Sequence, residues 1–255
     1  MIKAVDLFCG IGGLTYGLEK AGIDVVLGVD FDQCCKYAYE KNNNAIFLHR
    51  DVFELPSKEL MRYYKDAKIK ILAGCAPCQP FSNHQKNKDR RSNHKDWGLL
   101  YEFLRLIKEI EPEIVSVENV PSICKEIVFS DFCIGLKKMG YHITYKTDNA
   151  LNYGMAQRRN RLLLLASSKA PISFVDDRED SKTVYDVIGS LETLDAGSSS
   201  KKDRYHVCSN LSPINLERIK ASKPGGTWND WNEELLPDCF RKKSGKTYSS
   251  VYGRM

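Results

Sequence analysis

The first thirty residues constrain the fold most. Residues 2–8 read as a strand, Gly10, Gly12 and Gly13 as a tight turn, and residues 14–22 as a helix closed by Gly22. Residues 24–30 read as a second strand ending on Asp30. Strand, glycine turn, helix, strand and terminal acid, in that order, are the nucleotide-binding half of a doubly wound α/β sheet. The glycines let the backbone approach a ligand, and Asp30 can accept both hydroxyls of a ribose. A nicotinamide dinucleotide is the obvious candidate, but its fingerprint wants a third glycine where this chain has Thr15. Asp6 also brings a carboxylate to the turn, which suits a cationic or amino-bearing ligand better than a pyrophosphate. The turn therefore favours a nucleoside carrying an amino acid, with S-adenosylmethionine first among the candidates.

Residues 34–42 continue as a helix and residues 45–48 as a third strand, with Asp51 beyond its carboxyl end. Asp51 is placed either to accept a hydrogen bond from an adenine amino group, or as a helix N-terminal carboxylate or part of a surface loop. Residues 69–73 form a fourth, mostly apolar strand, followed by Gly74, Cys75, Ala76, Pro77, Cys78, Gln79, Pro80, Phe81 and Ser82. Two prolines forbid an immediate helix, so Cys78 belongs on a stiff loop at the strand's carboxyl end. Open α/β sheets gather their chemistry there, and a thiol so placed is a candidate nucleophile. Cys75 and Cys78 also form a C-x-x-C pair. No second pair stands at zinc spacing, so no metal is expected, and Pro80 argues against the helix that usually follows a redox pair. Residues 83–95 are polar and basic, either a solvated loop or a flap that closes on phosphates beside the nucleophile.

Residues 99–110 carry apolar side chains at helical spacing, and residues 114–117 read as a fifth strand. That strand delivers Glu118 and Asn119 to the same sheet edge as Cys78. Glu118 is placed for proton exchange, or as a cap for a helix over residues 123–139. A sixth strand spans residues 141–146 and a turn residues 151–154. Gln157, Arg158, Arg159, Asn160 and Arg161 then lead into an apolar strand at 162–166. Period two puts Arg159 and Arg161 on one face, where two guanidinium groups suit a phosphate or a carbonyl oxygen. Taken alone they read as surface arginines at a strand entrance.

Composition limits the setting. Nine scattered cysteines are an odd number with no framework spacing, which points to reduced thiols in a cytosol-like compartment. The amino terminus is not a signal peptide and no apolar run reaches membrane-spanning length. A net charge of +5 permits a polyanionic partner without requiring one.

Four stretches together resemble the cytosine-C5 DNA methyltransferases: residues 6–13, residues 77–82, Glu118-Asn119-Val120, and residues 157–161. The resemblance runs to about Ser168. It implies an S-adenosylmethionine-dependent, Rossmann-like doubly wound sheet and transfer of methyl to C5 of a flipped cytosine, in a restriction-modification setting. Cys78 resembles the nucleophile that adds to C6, Glu118 the group that engages N3 and the amino side, and Arg161 the contact to O2. Arg159 matches a neighbouring arginine of the same site, and Asn119 a residue that orients the loop. Phe8, Gly10, Gly12, Asp30, Phe31, Asp51, Val52, Pro77 and Leu100 fall where the family holds S-adenosylmethionine. Of these, Phe31 matches the adenine-stacking position. The implied partner is double-stranded DNA, and the implied location the cytoplasm, at the nucleoid if the source is bacterial.

Beyond Ser168 the composition shifts to Ser, Asp, Lys and Thr, with a helical stretch at 183–194 and a linker or loop at 197–202. Residues 205–255 are more basic and contain Trp228 and Trp231. This suggests a cofactor-binding catalytic domain at 1–170 and an incomplete DNA target-recognition region at 171–255. The family's last two motifs are expected after Met255. That would make the chain a shortened or disrupted product, or one half of a split enzyme completed by a second chain. A tRNA cytosine-C5 methyltransferase and an inactive nucleic-acid-binding fragment are the alternative functions.

Overall fold

A computed structural model of the chain describes residues 1–77, 98–175, 178–223 and 226–238. The chain divides into two compact units, Met1–Asp180 and Ser181–Met255. Residues just before the division stay with the first unit: the Glu179 N–H donates to the Asn152 carbonyl at 3.0 Å.

The first unit is a seven-stranded sheet in the order β3-β2-β1-β4-β5-β7-β6. The strands are β1 (Ile2–Leu7), β2 (Asp24–Asp30), β3 (Ile46–His49), β4 (Ile69–Gly74), β5 (Ile114–Asn119), β6 (His142–Asn149) and β7 (Asn160–Ser167). Strands β3, β2, β1, β4 and β5 are parallel, and β7 runs antiparallel to both β5 and β6. The strand order reverses between β1 and β4, and ligands of doubly wound sheets collect outside the carboxyl ends at such a reversal. Helices α1 (Gly13–Lys20), α2 (Lys36–Asn42), α3 (Ser57–Met61), α4 (Leu99–Ile110) and α5 (Ile127–Lys138) cover the sheet.

Two apolar clusters lie against the strands. One joins Val5, Leu7, Leu27, Val29 and Leu72 to Phe103, Ile107 and Phe132 of α4 and α5. The other joins Ala4, Val25, Phe47, Ile71 and Ala73 to Tyr39 of α2. A bulge in β2 explains how Val25 and Leu27 reach different clusters. Ala4 pairs with Val25 and Val5 with Leu27, so Val26 is an extra residue that inverts the alternation. Gly28 then comes to the Tyr39 side, where an added Cβ would stand 2.3 Å from the Tyr39 ring.

Three sequence expectations change. The helix expected at 123–139 is two pieces, a 3-10 turn at Pro121–Lys125 and α5, separated by Glu126 at φ −99°, ψ 145°. The helix expected at 183–194 is the short α6 (Val184–Ile188), closed at its start by a capping box of Thr183 and Asp186. Of the two readings of 197–202, the loop holds and the linker does not. Ser199 bridges Val207 and the Gly197 N–H donates to the Ser209 carbonyl, so it is a turn folded back on its own unit. In that second unit α7 (Pro213–Ala221) packs near Trp231, whose indole N–H donates to the Ser222 hydroxyl at 3.0 Å. Trp231 is the one buried residue among those described there.

Beneath the glycine turn lies a fully buried polar chain. The Thr15 hydroxyl donates to Asp6 Oδ2 at 2.7 Å and contacts the Tyr39 hydroxyl at 2.9 Å. With Asp6 ionised, Thr15 has spent its proton on the carboxylate, so Tyr39 donates to Thr15. This corrects the reading of Asp6 as a carboxylate offered to a ligand: it is wholly inaccessible and bonded to Thr15. It also explains the threonine where a dinucleotide site has glycine.

Thr15→Val keeps the shape but leaves the Asp6 carboxylate and the Tyr39 hydroxyl without their shared partner. The expected loss is about 2–3 kcal/mol in chemical denaturation. Burial, with a smaller contribution from the charge on Asp30, pushes the Asp6 carboxyl up to about 7 against the Thr15 hydrogen bonds. An unfolded Asp titrates near 4, so between about pH 4 and 7 the folded chain holds a proton that the unfolded chain has released. Stability from this group therefore falls as pH rises through that window and is flat above it. Denaturation at pH 5 and pH 8 should show a difference about 2–3 kcal/mol larger for the wild type than for Asp6→Asn.

Candidate active site

The glycine turn follows from the end of β1. Phe8 takes a left-handed φ of 60°, unusual for a residue with a side chain, and Gly12 has φ 93°. A Cβ on Gly12 would stand 2.1 Å from Asn43 Nδ2. Asp30 holds this turn to the end of β2. Its Oδ2 accepts the Gly10 N–H at 2.8 Å, and its Oδ1 accepts the Asp32 N–H at 2.9 Å. Each oxygen keeps a lone pair, so the carboxylate can still accept from a diol.

Beside the turn is a cleft of about 170 Å³ lined by Phe8, Asp30, Phe31, Arg50, Asp51, Val52, Phe53, Pro77 and Leu99. It gathers side chains from the ends of β1, β2, β3 and β4, including six of the nine residues expected to hold a cofactor. Phe31 and Phe53 are 58% and 47% exposed, unusually open for large aromatic rings flanking one cleft. Asp51 Oδ1 accepts the Phe53 N–H at 3.0 Å and starts a 3-10 turn at Val52–Glu54. Leu100 lies in the core, and the cleft's leucine is its neighbour Leu99.

A second group of side chains meets at the same sheet edge. Glu118 Oε1 and Arg161 Nε form an ion pair at 2.7 Å. Arg161 starts the antiparallel β7, so its amino end comes to the carboxyl end of β5. Asn119 is buried. Its Nδ2 donates to the Ala76 carbonyl at 3.0 Å and its Oδ1 accepts the Val120 N–H at 2.8 Å. It thereby ties β5 to the chain two residues before Cys78.

Cys78 itself, the rest of residues 79–82 and the basic stretch 83–95 lie outside the described residues. Cys75 is described. Burial, then the charges of Glu118 and Asp6, push its thiol well above the ordinary range, so it is a poor nucleophile. Among the described residues no group of three or more metal-ligating side chains is found. The expectation that Arg159 and Arg161 share a strand face is corrected. Arg159 precedes β7 and is exposed, while Arg161 lies within the strand.

A family model described as C-5 cytosine-specific DNA methylase matches residues 2–254. The chain belongs to this family. It is 47% identical over 262 residues to the Type II methylase M.HgiDII of Herpetosiphon aurantiacus, covering 100% of this chain and 73% of that relative. Among solved structures, a DNA modification methyltransferase encoded within an E. coli prophage matches with TM-score 0.63 and 26% identity, over 79% of this chain and 58% of that one. The Entamoeba histolytica methyltransferase EhMeth shares the fold, with TM-score 0.65 and 20% identity, over 88% of this chain and 68% of that one. The chain spans 47%, 64% and 62% of the length of three further curated relatives. Among the described residues no helix is long and apolar enough to cross a membrane.

Arg50, Phe53 and Leu99 line the cleft and were not singled out from the sequence. Phe53 had a local signal: it lies two residues after Asp51, at the spacing of an Asx-type turn. Arg50 and Leu99 had none, since a charged residue after a strand and the first leucine of an amphipathic helix are ordinary. Asn119→Ala removes a buried hydrogen bond to the Ala76 carbonyl and a half-buried one from the Val120 N–H. Chemical denaturation should show a loss of about 2 kcal/mol, with methyl transfer reduced further than stability alone explains.

Proposed function

We propose that this chain carries the catalytic core of a DNA (cytosine-5-)-methyltransferase of a restriction-modification system, acting on a cytosine flipped out of double-stranded DNA. The observation that carries this reading is the Glu118–Arg161 ion pair at the carboxyl edge of β5, tied through Asn119 to the segment that leads to Cys78. A cofactor cleft opens at the neighbouring strand ends. Family membership supports the same chemistry. Residues 1–170 form the catalytic domain in this reading, and residues 171–255 belong to target recognition.

S-adenosylmethionine fits the donor set of the cleft. Asp30 accepts the ribose hydroxyls, Phe31 stacks on the adenine and Asp51 accepts from its amino group. Phe8, Gly10 and Gly12 give the close backbone approach, and Val52, Pro77 and Leu99 line the same pocket. When bound, the cofactor supplies an electrophilic methyl group.

The Cys78 thiolate adds to C6 of the flipped cytosine and forms a C–S bond, which shifts the ring's electron density to C5. Glu118 engages N3 and the exocyclic amine, stabilising the charge that develops as sulfur adds. Arg161 contacts O2 while holding Glu118 in place, and the exposed Arg159 just before β7 is a neighbouring positive charge. Once C5 carries the methyl group it loses its proton to a base, and Cys78 leaves as thiolate.

Incubation with duplex DNA containing 5-fluorocytosine and S-adenosylmethionine should give a covalent adduct at Cys78, visible as a shifted band and in peptide mass spectrometry. Fluorine at C5 cannot leave as a proton does, so the enzyme is trapped. Cys78→Ser should give none, and Glu118→Gln should slow adduct formation by about 100-fold. Adduct on tRNA but not on duplex DNA would assign the RNA substrate instead. No adduct on either, with the cofactor bound, would leave a nucleic-acid-binding fragment.

A further inference from the structure

The geometry points to Arg105 as the positioning residue that sets the adenine wall of the cofactor cleft. Arg105 lies on α4, and its side chain crosses to the turn that follows β3. Its Nη2 donates to two carbonyls of that turn, Val52 and Leu55, each at 3.1 Å. The rest of the guanidinium is held from its own helix. Nε donates to Glu102 Oε2 at 2.6 Å, and Nη1 donates to Glu109 at 3.2 and 3.3 Å. Every side of the planar fork is thus fixed, two by carboxylates and one by the turn.

The two carbonyls bracket Phe53, whose ring lines the cleft. Gly98 completes the seat: a Cβ there would stand 3.2 Å from the Phe53 ring, so the missing side chain gives the ring its place. Asp51 opens the same turn through its bond to the Phe53 N–H. Arg105 therefore fixes, without touching the ligand, both a carboxylate and an aromatic ring that face it. Phe53 becomes a second aromatic wall for the adenine, in addition to the one assigned to Phe31. A lysine cannot reproduce this, because a single ammonium does not reach two carbonyls while filling a fork between two carboxylates.

This inference rests on the cleft holding S-adenosylmethionine. Calorimetric titration of the full chain with S-adenosylhomocysteine, and with adenosine alone, tests it. Arg105→Lys keeps the positive charge between Glu102 and Glu109, so its thermal midpoint should stay near that of the wild type. Its affinity for S-adenosylhomocysteine should fall about tenfold, and its affinity for adenosine by the same factor, because the loss is at the adenine end. Phe53→Ala, at a partly exposed position, should also lower both affinities about tenfold at an unchanged midpoint. Wild-type affinity in Arg105→Lys would overturn the inference. If Arg105→Lys does not fold, Phe53→Ala decides: weakened binding supports the adenine wall, and unchanged binding overturns it. A wild-type chain that binds neither compound overturns the cofactor reading itself, an outcome distinct from a failure of Arg105.

Discussion

The candidate chemistry depends on β5 having a parallel neighbour on one side and an antiparallel neighbour on the other. A parallel β4 brings its carboxyl end, and with it the approach to Cys78, to the edge where Glu118 and Asn119 sit. An antiparallel β7 brings its amino end there, which places Arg161 beside Glu118. Had β7 been parallel, its amino end would lie at the opposite edge of the sheet, and the ion pair could not form. The Asn119 bond to Ala76 then converts sheet order into side-chain order, because it fixes the segment leading towards Cys78 against the strand that carries Glu118.

The sequence was most legible where local pattern and tertiary role agree. β1, β2, β4 and α4 fall within a residue of their expected bounds, since apolar runs closed by glycine or an acidic residue leave few alternatives. The helix expected at 123–139 hid a break at Glu126, which no proline or glycine announces. The antiparallel direction of β7 was also invisible, because an apolar strand reads the same in either direction. Strand faces failed at Arg159 for a related reason: period two holds only inside a strand, and Asn160 begins it. Arg105 escaped notice because a basic residue between two glutamates on an amphipathic helix looks like a solvated face. Its partners at Val52 and Leu55 are some fifty positions away in the chain.

The two sides of the cleft are held by different physics. The side at the ends of β1 and β2 depends on backbone conformation: a left-handed Phe8, glycines at positive φ, and the Gly10 N–H bonded to Asp30. The side at the Val52–Glu54 turn depends on side chains holding backbone groups: Asp51 accepts the Phe53 N–H within the turn, and Arg105 reaches the Val52 and Leu55 carbonyls from α4. Substitutions on the first side strain the backbone, whereas those on the second loosen a wall and leave the sheet intact.

Thr15 shows how one position can separate two ligand classes. A glycine there would let the helix close on the strand and admit a pyrophosphate. The threonine instead fills the space with a hydroxyl shared by Asp6 and Tyr39, and keeps a carboxylate buried below the turn. Burial raises the Asp6 carboxyl most, and the charge of Asp30 adds a smaller repulsion. An anionic diphosphate brought to this turn would add to that repulsion in a region of low dielectric. A ligand bearing a sulfonium and an ammonium would relieve it. A negative charge on the buried Asp6 would need no contact with a ligand to weigh against an anionic one.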